Sequence, residues 1–161
     1  MTSSIVSSFF FFGPHLIPAK QIFFVSRFSV GIVNIRPILP GHCLVVPRRL
    51  VARVKDLNVE EICDLFLSVQ QISSKLEIYL NTKACNIAIQ DGPESGQSVP
   101  HVHVHILPRN GLEFHRNDDV HSALESTNVD QSPRTATRSL EDMCEEAARF
   151  SLLFDEDQRH F

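Results

Sequence analysis

Between Leu57 and Leu80, apolar residues recur at steps of three and four: Ile62, Leu65, Phe66, Val69, Ile72, Leu76 and Leu80. That period gives one apolar stripe along a helix, the pattern of an element lying on a core. Asn58, with Glu61 three residues later, has the form of a capping box, so the spacing predicts a scaffold helix over 57–80. Elsewhere the period drops to two. Phe28, Val30 and Ile32 alternate within Ile22–Asn34, which predicts a half-buried strand. Turn residues follow at Pro37 and Pro40-Gly41, then a second apolar run, His42 to Val46, closed by Pro47. The two runs read as a hairpin. Cys85–Gln90 alternates again, with Ile87 and Ile89 on one face and Asn86, Ala88 and Gln90 on the other. A loop, Asp91–Gly96, leads to a strand predicted over His101–Leu107, which stops at Pro108. The segment 126–139 is polar and aperiodic, which predicts a mobile loop. Ser139 and Asp142 then open a last helix running to about Leu153, with acids early in it that suit the positive helix end.

Short turns between strands and no regular βα alternation predict an α+β fold: an antiparallel sheet of about five strands with one long and one C-terminal helix. Residues 1–8 read as a flexible N-terminal extension and 9–161 as a single domain, a length that supports one core. The start lacks the basic region of a signal peptide and the Arg of a transit peptide, and no run of ~18 apolar residues exists to span a membrane.

Composition changes this picture little. Hydrophobic residues make up 43% and charged residues 21%, ordinary for a globular domain. A net charge of −4 argues against tracking nucleic acid, which needs a basic excess. The cluster Arg48, Arg49, Arg53 and Lys55 reads as a solvated rim. Four cysteines without a CxxC pair read as reduced thiols, which points to a cytoplasmic protein with the nucleus left open.

The chemistry lies in His101, His103 and His105. On a strand, residues at i, i+2 and i+4 share a face, so the three imidazoles would form a row while Val102, Val104 and Ile106 bury behind them. Such a row suits a metal site or catalysis. His-x-His is a familiar zinc pair, but the outer Cα atoms stand ~13 Å apart on a straight strand, so three ligands to one ion would need a bend. The flanks favour an anionic substrate. Gly96 permits close backbone approach, Gln97 and Ser98 can donate to phosphate oxygens, and Arg109 adds a positive charge.

The run Gln90-Asp-Gly-Pro-Glu-Ser-Gly-Gln-Ser-Val-Pro-His-Val-His-Val-His-Ile-Leu-Pro-Arg109 resembles the histidine-triad superfamily and, more narrowly, its Fhit branch of diadenosine triphosphate hydrolases. Phe12-Gly-Pro-His-Leu-Ile17, Val33–His42 and Glu113-Phe-His-Arg-Asn-Asp118 agree with that branch. The resemblance implies that His103 attacks the α-phosphorus, forming a nucleotidyl-histidine that water resolves. It implies that His105 contacts the phosphate chain, that His101 orients the site and that His42 buttresses the triad. Gln97 and Ser98, with Gly96, Val99 and Arg109, would bind phosphate, Gln90 would lie near the ribose and α-phosphate, and His15, Asn34 and Leu44 would line the nucleoside pocket. It also implies a dinucleoside polyphosphate substrate, with diadenosine triphosphate giving AMP and ADP. Mg²⁺ or Mn²⁺ would ride on the phosphates rather than in a protein metal site, and the protein would be a homodimer. Three rival readings are a phosphoramidate or adenylyl sulfate hydrolase, a nucleotide-binding signalling module with slow turnover, and a His-rich metal protein. His121 stands where animal members carry a signalling tyrosine, so that role does not transfer.

Overall fold

The structure, a computed structural model, describes residues 8–127 and 137–155. A five-stranded antiparallel sheet is built from β3 (Ile22–Val25), β4 (Ser29–Val33), β5 (Cys43–Pro47), β6 (Ala84–Ile89) and β7 (Val104–Arg109), in the order β3-β4-β5-β7-β6. Ahead of it, β1 (Phe9–Phe12) and β2 (His15–Pro18) form a separate two-stranded hairpin. The long helix α1 (Val59–Leu80) and the C-terminal helix α3 (Leu140–Ser151) complete the expected α+β plan.

Helix α1 begins where its caps dictate. Asn58 accepts from the Glu61 N–H while the Glu61 carboxylate accepts from the Asn58 N–H. Leu65, Val69, Ile72 and Leu76 bury against the sheet, whereas Phe66 falls off the stripe and is half exposed. Beside them, α3 buries Met143, Ala147 and Phe150. Together they cover one sheet face, into which Val102, Val104 and Ile106 point at 1%, 0% and 0% exposure. The hairpin covers the opposite face, where Phe10 and Phe12 meet Ile22, Val30, Ile32, Leu44 and Val46. With both faces covered, β4 is buried at every position rather than half-buried.

Three further expectations are corrected. Ile22–Asn34 is two strands, not one: the chain turns at residues 26–28, where the Asp64 carboxylate accepts from the Ser26 hydroxyl and the Phe28 N–H. β3 carries a bulge between Ile22 and Phe24, and Phe23 and Phe24 both join the helix-side core. Gly31 opposite is tightly enclosed: a Cβ there would meet Phe23, Phe24 and Ile72 at 3.0–3.1 Å, so those side chains would have to give by a few tenths of an ångström.

Residues 126–127 belong to an unforeseen short helix, α2 (Asp119–Thr127), seated by Val120 and Leu124 on Leu39 and Leu107. Residues 137–139 sit directly before α3, with Arg138 bonded to the Ile35 carbonyl. The rest of the expected loop, 128–136, and residues 1–7 of the expected extension lie outside the described residues.

The strand expected over His101–Leu107 enters the ladder only at Val104 and runs on to Arg109. The register sets Val45 opposite Val104, so Val102 would meet Pro47, which has no N–H to donate. The Val102 N–H turns instead to the Val51 carbonyl at 2.7 Å.

Candidate active site

Each histidine of the row has a different environment, set by what its two ring nitrogens face. His101 is fully buried beside Phe10 and Phe12. Its Nδ1 accepts from the Gly13 N–H at 3.1 Å, and its Nε2–H donates to the Pro47 and Arg49 carbonyls at 2.8 and 3.1 Å. Both nitrogens are therefore engaged, and the imidazole ties the β1–β2 turn to the end of β5. Burial lowers its pKa, which keeps it neutral.

His103 is held through one nitrogen only. Its Nδ1–H donates to the His101 carbonyl at 2.8 Å, which leaves the lone pair on Nε2. The Phe12 ring meets it edge-on at 5.2 Å and the His105 ring lies at 5.1 Å. Burial lowers its pKa as well, so the lone pair stays free of a proton.

His105 is set by His42. The His42 Nδ1 faces the Ile38 N–H at 3.2 Å and accepts from it, so its Nε2 carries the hydrogen and donates to His105 Nδ1 at 2.9 Å. The proton of His105 then sits on Nε2, a buried atom with no hydrogen-bond partner. Asn34 lies beside the pair: its Oδ1 accepts from the Arg36 N–H, and its Nδ2 stands 3.1 Å from His42 Nε2, a donor facing a donor that makes no bond in this tautomer. Burial pushes the His42 pKa down to about 3, and it pushes His105 down too.

His103 and His105 open onto a cavity of about 830 Å³. The structure brings His15, Asn34, Leu44, Ser98 and Val99 to its wall as expected. His101 and His42 stand behind it. Gln97 is turned away: it accepts from the Gly92 N–H and donates to the Ala52 carbonyl, which pins the loop before the triad. Gly96, at φ +85°, closes that loop's turn. Gln90 is half-buried and lies off the cavity wall. Arg109 also lies off it: buried at the far end of β7, it donates to Asn86, pairs with Glu113 and covers the Phe114 ring.

Sequence reasoning missed Phe12, Gln21 and Met143 on the cavity wall. The alternate burial of the phenylalanine run marks Phe12. Met143 belongs to the apolar face of a helix more than a hundred residues away in sequence, and no local pattern announces it.

An electron pair held at His103 Nε2, beside an N–H at His105 awaiting an acceptor, suits nucleophilic attack on a phosphorus whose oxygens that N–H can bind. Comparisons with known proteins agree. The HIT domain model matches residues 17–112. The chain is 44% identical over 159 residues to the bifunctional bis(5'-adenosyl)-triphosphatase/adenylylsulfatase FHIT of Arabidopsis thaliana, covering 95% of this chain and 88% of that one. It is 45% identical over 148 residues to the bis(5'-adenosyl)-triphosphatase of Dictyostelium discoideum, covering 92% and 95%. Among solved structures, the Plasmodium falciparum diadenosine triphosphate hydrolase in complex with Cyclomarin A superposes with a TM-score of 0.74 at 32% identity, covering 94% of this chain and 88% of that one.

Proposed function

The chain belongs to the HIT domain family, in its Fhit branch, and from that premise we propose that it hydrolyses dinucleoside polyphosphates, diadenosine triphosphate to AMP and ADP above all. The hydrogen bond from His103 Nδ1–H to the His101 carbonyl carries the reading, because it fixes which nitrogen is the nucleophile. His103 Nε2 forms a bond to the α-phosphorus as the bond to the ADP oxygen breaks, and ADP leaves with the electron pair. The imidazole gains positive charge, and the His101 carbonyl stabilises it through the Nδ1–H. His105 Nε2–H binds the phosphate oxygens. Water then attacks phosphorus, releasing AMP with one proton and returning the pair to Nε2.

A divalent cation, Mg²⁺ or Mn²⁺, travels with the substrate phosphates and neutralises part of their charge. Divalent cations of this kind are commonly bound through substrate phosphates rather than by a dedicated protein cage. We also propose a homodimer joined at β6, an edge strand with Ile87 half exposed. Four unpaired cysteines fit the cytoplasm, with the nucleus left open.

Mass measurement of protein quenched during turnover of diadenosine triphosphate should show an added AMP on His103, and an adduct elsewhere would sink the mechanism. A second reading, adenylyl sulfate hydrolysis, is favoured by the Arabidopsis relative, whose name includes that activity. The same adduct serves both, and a substrate panel scored for AMP release ranks them.

A further inference from the structure

Among the described residues most buried polar side chains are bonded, as buried polar groups generally are, and the unpartnered Ser29 and Thr82 hydroxyls lie off the cavity wall. Two that face the cavity are unpartnered as well. One is His105 Nε2, at the phosphate end. The other is Gln21, 6% exposed, on the cavity wall, whose carboxamide makes no hydrogen bond among the described residues.

The sheet register places these two groups at opposite ends. Leu44 lies opposite His105, Ile32 opposite Leu44, and Ile22 opposite Ile32. Gln21 directly precedes Ile22, so it sits three strand widths from His105, about 14 Å at the usual strand spacing. Ile32 and Leu44 floor the space between, and Phe12 and Ile17 of the hairpin cover it. A nucleoside monophosphate laid along that row, with its phosphorus at His103, carries its base to the β3 edge.

We propose that Gln21 reads the nucleobase and makes the site prefer adenine. This rests on the proposed function, since it takes the cavity to hold a nucleotide in that direction. A carboxamide offers one donor beside one acceptor. Adenine presents a donor, its 6-amino group, flanked by ring-nitrogen acceptors on both sides, so either edge complements Gln21. Guanine presents two acceptors on its N7 edge and matches on the other edge alone.

The test compares kcat/KM for diadenosine and diguanosine triphosphate in the wild type, Q21L and Q21M. The wild type should favour adenine by about tenfold, the scale of one bidentate base contact. Both variants should bring the ratio close to one, mainly through KM. General destabilisation does not shift a ratio between two bases, and two variants guard against one misfolding. A wild-type preference for guanine, or a ratio unchanged in the variants, overturns the assignment. Should the wild type cleave neither compound, the proposed hydrolysis fails, and the assignment is then judged by calorimetry. AMP must bind more tightly than GMP to the wild type and equally to Q21L, and equal binding to the wild type overturns it.

Discussion

The two ends of the cavity are built on opposite plans. At the histidine end, His101, His42 and the Nδ1 nitrogens of His103 and His105 are committed to partners, and one lone pair and one N–H remain for the substrate. At the other end the wall is apolar and collected from the hairpin, β4 and α3, with Gln21 as its buried amide. Chemistry at phosphorus needs groups fixed to fractions of an ångström, which a bonded network supplies. Holding a flat base needs dry surface and one directional contact, which elements distant in sequence can supply jointly.

Removing the proposed nucleophile separates the two ends most sharply. His103→Asn should lower turnover by about 10⁴-fold or more, while AMP binding by calorimetry stays near the wild-type value. Binding lost in step with turnover would mean that the ends do not work separately. His101→Ala should act on stability instead, because it leaves a buried N–H and two carbonyls without their partner. A loss of about 3 kcal/mol is expected in denaturant melts, and a loss below about 1 kcal/mol would show that the hook is dispensable.

A brace stands behind Asn34, where the two ends meet. Arg138 pairs with Glu146, with both side chains largely buried, and holds the Asn34–Ile35 backbone through its N–H and guanidinium. Arg138→Ala should cost about 1–3 kcal/mol, raise KM several-fold and leave kcat within twofold. A fall confined to kcat would place the brace at the histidine end.

The smallest effect concerns pH. Burial holds the pKa values of His103, His42 and His105 below the ordinary 6.5. The unfolded chain binds protons at 6.5 that the folded chain refuses, so this contribution to stability is whole above pH 6.5 and drains as pH falls toward about 3 for His42. The His103 pKa is lowered in the same direction, so at pH 6.5 less than half of that imidazole carries a proton. Lowering the pH from 7.5 to 6.5 should therefore cost kcat/KM less than the twofold that an ordinary imidazole would show. An acid limb at or above 6.5 would break the picture of a dry histidine end.

The same division governs what could be read without coordinates. The Val102, Val104, Ile106 face was legible, because a period of two has one meaning once a strand is assigned. So was the α1 capping box, whose partners lie three residues apart. His103 was singled out by resemblance, not by spacing, because the bond that fixes its tautomer depends on the chain leaving the ladder opposite Pro47. Arg109 looked like a phosphate ligand next to the triad, yet Asn86 and Glu113 turn it elsewhere. Gln21 and Met143 lie on elements that meet only in three dimensions, and each looks ordinary in its own segment.

The hook between Gly13 and His101 bears on sequence tolerance. Residue 13 sits in a turn joining two short strands, a place where substitution is usually cheap. Here its N–H is committed to a ring 88 positions away, its φ is +55°, and an added Cβ would come within 2.6 Å of Val99. Val99, a residue of the candidate substrate wall, therefore occupies the space of the side chain that Gly13 lacks. A turn that could drift freely on another scaffold is bound here to the catalytic row, and a library randomised at this position should return glycine.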